Sequence, residues 1–179
     1  MNDKDTDITV YGATSFVAKH VLRYLIQVAA KDLGVLGSGS GSGDDDDKTK
    51  ATSRRLIVTL AGRNESKLKA LRESLINESN DDYFTADVVQ AVISADVVVA
   101  DGSDLPALQD MAKRTVVVLN CAGPYAKYSS KVVQACATVG TDYVDITGET
   151  AWASTTTSPF RSMNFQPSSP NTAAIPCGP

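Results

Sequence analysis

With 179 residues, 42% of them hydrophobic and 21% charged, the chain can build one globular domain with its own core but not two. A formal net charge of -4 gives no basic footprint for nucleic acid, and no apolar run approaches the length of a membrane span. The acidic start MNDKDTDITV is not a secretory leader, so the expectation is a cytoplasmic protein. Cys121, Cys136 and Cys177 are odd in number and widely spaced, two of them inside apolar runs. That pattern argues for reduced thiols, two of them buried, against a disulfide framework or a zinc site.

In chain order, residues 8–11 form a short β-prone run ending in Gly-Ala-Thr-Ser. Phe16, Val17, Val21, Leu22 and Leu25 then recur at helical spacing. Residues 34–54, GVLGSGSGSGDDDDKTKATSR, lose all periodicity and read as a flexible, solvated insertion. A second strand is expected over 56–60 with a turn at Ala61-Gly62-Arg63. Asn64 follows as N-cap of a helix carrying Leu68, Leu71, Leu75 and Ile76. Residues 82–95 stay open between loop and a short helix. Beyond them the pattern gives a strand over 97–100, a helix over 105–113, a strand over 116–119, a helix over 129–139 and a last strand over 143–146. Near-continuous Val/Ile/Leu strands separated by helices imply an α/β fold, a doubly wound parallel sheet covered on both faces. From Ala151 the chain changes character: its last 27 residues hold five Ser, five Pro and four Thr with one charge, Arg161. Such a segment cannot offset its ordering entropy, so 151–179 is expected to be an unstructured tail.

Three loops carry candidate chemistry. Gly12-Ala13-Thr14-Ser15-Phe16 joins the first strand to the first helix, where a doubly wound sheet presents amides to a pyrophosphate. Only the first glycine of a glycine-rich loop is kept, with Ser15 and Ala18 standing where others would be, so a plain turn without cofactor remains the alternative. Gly62-Arg63-Asn64 ends the second strand, the position that meets the adenosine ribose. An acid there would suit NAD, whereas the Arg63 fork suits a 2′-phosphate and leans toward NADP. Asn120-Cys121-Ala122-Gly123-Pro124 follows the fourth strand, its small residues allowing close approach to a ligand and Asn120 able to meet a ribose or carboxamide. The plain alternative is a Gly-Pro turn with Tyr125 packed over it.

Together GATSFVAKHVLRYL, LAGRNESKLKALR and VVLNCAGPYAKYSSKVVQACATVGTDYVDITGE resemble the N-terminal half of the saccharopine dehydrogenase-like oxidoreductases. The resemblance implies a Rossmann domain over 7–150, interrupted by 34–54. It places an NADP or NAD cofactor on Gly12, Ala13, Thr14, Ser15 and Phe16, on Gly62, Arg63 and Asn64, and on Asn120, Ala122, Gly123 and Pro124. Thr147-Gly148-Glu149 would lead into the family's second domain, which supplies the substrate pocket and which the tail replaces. The family includes lysine-pathway enzymes and enoyl reductases of lipid and glycolipid synthesis, so lipid or amino-acid metabolism and a lipid-droplet or membrane association are further expectations. With the second half missing, a small-molecule substrate requires that half to be supplied, and no catalytic residue is named. A truncated or frameshifted reading frame, or a non-catalytic dinucleotide- or partner-binding module, is the competing expectation.

Other motifs dissolve on spacing. Glycines 37–43 lack the G-x-G-x-x-G interval, and Asp44 to Lys48 lacks the alternating ligands and terminal glutamate of a calcium loop, resembling instead an enteropeptidase cleavage site. Tyr128 and Lys131 are one residue too close for a Tyr-x-x-x-Lys pair. His20 is the only histidine, which leaves no basis for a His-ligated metal or a Ser/His/Asp triad.

Overall fold

The fold is built on a parallel sheet. A computed structural model describes residues 4–32, 55–78, 84–149 and 151–152. The insertion expected at 34–54 and the tail from 153 onward, with Cys177, lie outside the described residues. The elements are β1 (Thr6–Tyr11), α1 (Phe16–Asp32), β2 (Val58–Gly62), α2 (Glu65–Asn77), α3 (Ala86–Val92) and β3 (Ile93–Val99). They continue with α4 (Leu105–Lys113), β4 (Thr115–Asn120), α5 (Tyr125–Tyr128), α6 (Ser130–Val139) and β5 (Asp142–Asp145). The sheet order is β3-β2-β1-β4-β5, every pair parallel, with Val10 registered against Leu60 on one side and Leu119 on the other. This is the doubly wound Rossmann arrangement. The chain leaves β1 in one direction and returns to β4 on its other side, so a crevice opens above the β1/β4 boundary.

Side-chain alternation along each strand divides the core in two. Val10, Val58 and Leu60 point to the face covered by α1, α2 and α3, where they meet Leu22, Ile26, Leu68, Leu75 and Val89. Tyr11, Ala61 and Val118 point to the opposite face, against Leu108 and Met111 of α4 and Val132, Ala135 and Cys136 of α6. Each fully buried Leu, Ile or Val stabilises this arrangement by about 1.5–3 kcal/mol relative to an exposed one.

Several boundaries differ from the sequence expectation. In α1 the buried face is Ala18, Leu22, Ile26 and Ala29, while Phe16 is 79% exposed and sets its ring edge-on to His20. β3 begins four residues early, at Ile93, because it is an edge strand. Its register to β2 shifts between Val58 and Leu60, and the bulge carries the exposed Ala95 and Asp96 that disguise it in sequence. The open segment before β3 is the helix α3, N-capped by Thr85. The helix expected over 129–139 is α6, and a short helix that the sequence pattern did not announce, α5, precedes it. Ala151 and Trp152, expected to belong to the tail, are helical, and the Trp152 ring lies 5.9 Å from that of Tyr125.

Burial also sets the response to alkali. Burial pushes the Cys136 thiol from 9.0 up to about 12. Tyr11 is pushed from 10.0 to about 12, first by burial and then by Asp101, with Arg63 opposing. Both groups keep their protons in the fold and release them earlier in the unfolded chain, so the unfolded state binds fewer protons above pH 9. Stability is therefore present below that pH and lost as pH rises toward 12. The urea midpoint should fall steadily across this window, and a midpoint that stays flat would contradict it.

Candidate functional site: a basic cleft over the carboxyl ends of the strands

The loops after β1, β2, β3 and β4 enclose a cleft of about 890 Å³, within the size range of pockets that take a cofactor. Its floor is the turn after β1. Gly12 takes φ +72°, and a Cβ there would stand 2.7 Å from the Ala122 Cβ and 2.8 Å from the Ala122 nitrogen. Gly12 thus lets the turn after β1 and the loop after β4 touch. The Gly12 and Ala13 amides are both spent on the Ala61 carbonyl, at 2.9 and 3.1 Å. Ser15 closes the turn with its amide on the Gly12 carbonyl, and its Oγ accepts from the Ala18 amide at 3.2 Å. It is therefore the N-cap of α1, a role the comparison with an all-glycine loop did not suggest. The hydroxyl proton remains available to a ligand, and the amides of Phe16 and Val17 have no partner inside the helix. Ala18 is fully buried, so its small side chain lets α1 pack close against the sheet.

One wall comes from β2 and α2. Gly62, Arg63 and Asn64 line the cleft, and Asn64 also caps α2 by accepting from the Lys67 amide at 2.9 Å. Lys67, one helical turn beyond Arg63, lines the same wall. The loop after β3 contributes Asp101, Gly102 and Ser103. Two hydrogen bonds from Ser103, its amide at 2.8 Å and its hydroxyl at 2.6 Å, hold the Asp101 carboxyl below the usual range, helped by Arg63 and Lys131. Lys131 donates to the Ser103 carbonyl at 2.6 Å, tying α6 to that loop. The rim thus carries four cations, Arg63, Lys67, Lys127 and Lys131, and one carboxylate, Asp101. A chain of net charge -4 has concentrated positive charge at this one opening.

Of the residues singled out in the sequence, Gly12, Thr14, Ser15, Gly62, Arg63, Asn64, Ala122 and Gly123 line the cleft together. Ala13 is buried in the core and Phe16 points outward. Pro124 is the N-cap residue of α5. Asn120 is fully buried beneath the cleft, and its amide is committed to the protein. Its Nδ2 donates to Ser129 Oγ at 2.7 Å and to the Tyr143 hydroxyl at 3.0 Å, and its Oδ1 accepts from the Ala122 amide at 2.9 Å. Tyr11, Lys67, Asp101, Lys127 and Lys131 were not among those residues. Asp101-Gly102-Ser103, directly after a strand, was the signal for one of them. Cys121 faces the cleft nearly buried, and burial pushes its thiol up. Among the described residues, no three His, Cys, Asp or Glu side chains gather as a metal site. No described helix is long and apolar enough to cross a membrane.

The model of the saccharopine dehydrogenase NADP binding domain matches residues 34–169. The chain belongs to that family. Its domain is a dinucleotide-binding one, in keeping with the cleft. A lipid droplet localized protein of Caenorhabditis elegans is 32% identical over 146 residues, covering 82% of this chain and 27% of its own length. A trans-acting enoyl reductase of Mycobacterium bovis is 33% identical over 147 residues, with 82% and 26% covered. This chain therefore spans about a quarter of the length of these relatives. Among solved structures, glucose-6-phosphate 1-dehydrogenase from Mycobacterium avium shares the fold at 11% identity and TM-score 0.51, over 88% of this chain and 34% of that one.

Proposed function

We propose that this chain is the cofactor-binding part of an NADP-dependent oxidoreductase and that it prefers NADPH to NADH. The observation that carries the reading is the pair Arg63 and Lys67 on the wall where the adenosine ribose lies in this fold. The residues present fit the dinucleotide. The N-terminus of α1 and the Ser15 hydroxyl would hold the pyrophosphate, and Arg63 with Lys67 the 2′-phosphate. When bound, the reduced nicotinamide supplies a hydride, while the protein binds, orients and excludes water. The names of the relatives, an enoyl reductase and a lipid droplet protein, support lipid metabolism as the setting and an unsaturated acyl group as the substrate class. The substrate pocket itself would belong to sequence corresponding to the rest of those relatives.

Because NADPH would bind only the folded chain, it should raise the unfolding temperature progressively with its concentration, and NADH should do so more weakly. A ligand at a hundred times its Kd stabilises by about 2.7 kcal/mol, well within reach of a thermal melt. A melt indifferent to both cofactors would remove the reading. Binding without hydride transfer to an enoyl thioester, even with the rest of the relatives' sequence supplied in trans, would instead mark a dinucleotide-binding module.

A further inference from the structure

We infer that Glu149 is a positioning residue for the part of the cleft formed after β4, acting as a remote cap on α5. The inference rests on the proposed cofactor site, and its test separates the two. Pro124 occupies the N-cap position of α5 and makes no side-chain cap bond. The missing cap arrives from 24 residues downstream: Glu149 Oε1 accepts from the Tyr125 amide at 2.8 Å and Oε2 from the Ala126 amide at 3.0 Å. One carboxylate thereby satisfies two first-turn donors that the sequence around Pro124 cannot serve.

The carboxylate is itself held in place. Its own amide donates to Thr147 Oγ1 at 3.0 Å, the Thr147 amide donates to Asp145 Oδ1 at 3.0 Å, and the Tyr143 hydroxyl donates to Asp145 Oδ2 at 2.7 Å. Tyr143 in turn receives from Asn120, whose Oδ1 fixes the Ala122 amide. From the other end, the Tyr125 hydroxyl donates to the Asn120 carbonyl at 3.3 Å. The loop 121–124 is therefore held at both ends by one polar relay that runs through β5 to Glu149. Ala122 in that loop lies against Gly12, so the relay sets how the loop meets the phosphate turn. Glu149 is not on the cleft wall and would not touch the cofactor.

The test uses the full chain, with Glu149→Ala and Glu149→Gln. A glutamine keeps one acceptor and turns a donor toward the other amide, so it should behave as an intermediate. Exchange of the Tyr125 and Ala126 amides with solvent should be about 10-fold faster in Glu149→Ala, the loss of charge-assisted bonds. This readout needs no cofactor, so it stands even if the parent chain binds none. Where the parent binds NADPH, Glu149→Ala should weaken it about 10-fold while leaving adenosine 2′,5′-bisphosphate, held at the Arg63 end, within about 2-fold. Unchanged amide exchange would overturn the inference. So would an equal loss of both ligands, which would make Glu149 a structural cap for the whole domain.

Discussion

On the proposed preference for NADPH, replacing Arg63 by alanine should remove most of that preference, about 10-fold to 150-fold in affinity, and leave NADH nearly unchanged. The size follows from chemistry. A guanidinium offers two parallel donors to a phosphate and cannot lose its charge, so its bond to a 2′-phosphate would be of the stronger, charge-assisted kind. Lys67 is a point charge on a flexible stem, and Lys67→Ala should cost the preference only a few-fold. The two lie on one wall of the cleft, so removing both should bring the cofactors to parity. Asp101 tempers the effect. Its carboxyl is held ionised by Ser103 first and by Arg63 and Lys131 after it, so the guanidinium already has an anionic neighbour when the phosphate arrives. Fluorescence titration of both reduced cofactors against the parent and the three variants measures all of this. Equal affinities in the parent, or a preference that survives the double variant, would reduce Arg63 to a solvated residue at a helix start.

The fold was legible because its instructions are local. The short β-branched run Val116 to Leu119 reads as a central strand, and Asn64 caps α2 through an atom three residues from its partner. What escaped the sequence depends on distant residues. α5 is four residues long and begins after a proline, so nothing near it announces a helix, and the carboxylate that caps it belongs to Glu149. β3 hid its first half because an edge strand with a bulge tolerates Asp96, which a central strand would not. The cleft was half legible for the same reason. Gly12, Arg63 and Gly123 each stand in a recognisable loop, but the basic rim is a sum over α2, α5 and α6. Lys67, Lys127 and Lys131 look like ordinary surface lysines until the sheet order brings them to one opening. Asn120 shows the converse. Its place in a promising loop suggested a ligand contact, and its neighbours in space, Ser129 and Tyr143, had already taken its amide.

Among the described residues, the two glycines with positive φ provide an internal control for what the phosphate turn requires. Gly12 has φ +72° and Gly140, which ends α6, has φ +71°, so alanine at either site meets the same backbone penalty of about 1–2 kcal/mol. Their surroundings differ. Nothing lies within 4 Å of a Cβ placed at Gly140, whereas one at Gly12 would meet three atoms of Ala122 at 2.7 to 2.9 Å. Two of those atoms are backbone, so the loop after β4 must move, at a further cost of about 1–3 kcal/mol typical of overpacking. Gly140→Ala should therefore lower the melting temperature by a few degrees, and Gly12→Ala by about twice as much or more. Cofactor binding should separate them further. The movement forced at Gly12 parts the turn after β1 from Ala122 and deforms the cleft floor, so Gly12→Ala should lose NADPH affinity at temperatures where it is still folded. Gly140→Ala, at the far end of α6, should retain it. Equal losses of stability in the two variants would show that the contact with Ala122 yields without cost, and unaltered NADPH binding by Gly12→Ala would show that the cofactor does not depend on this turn.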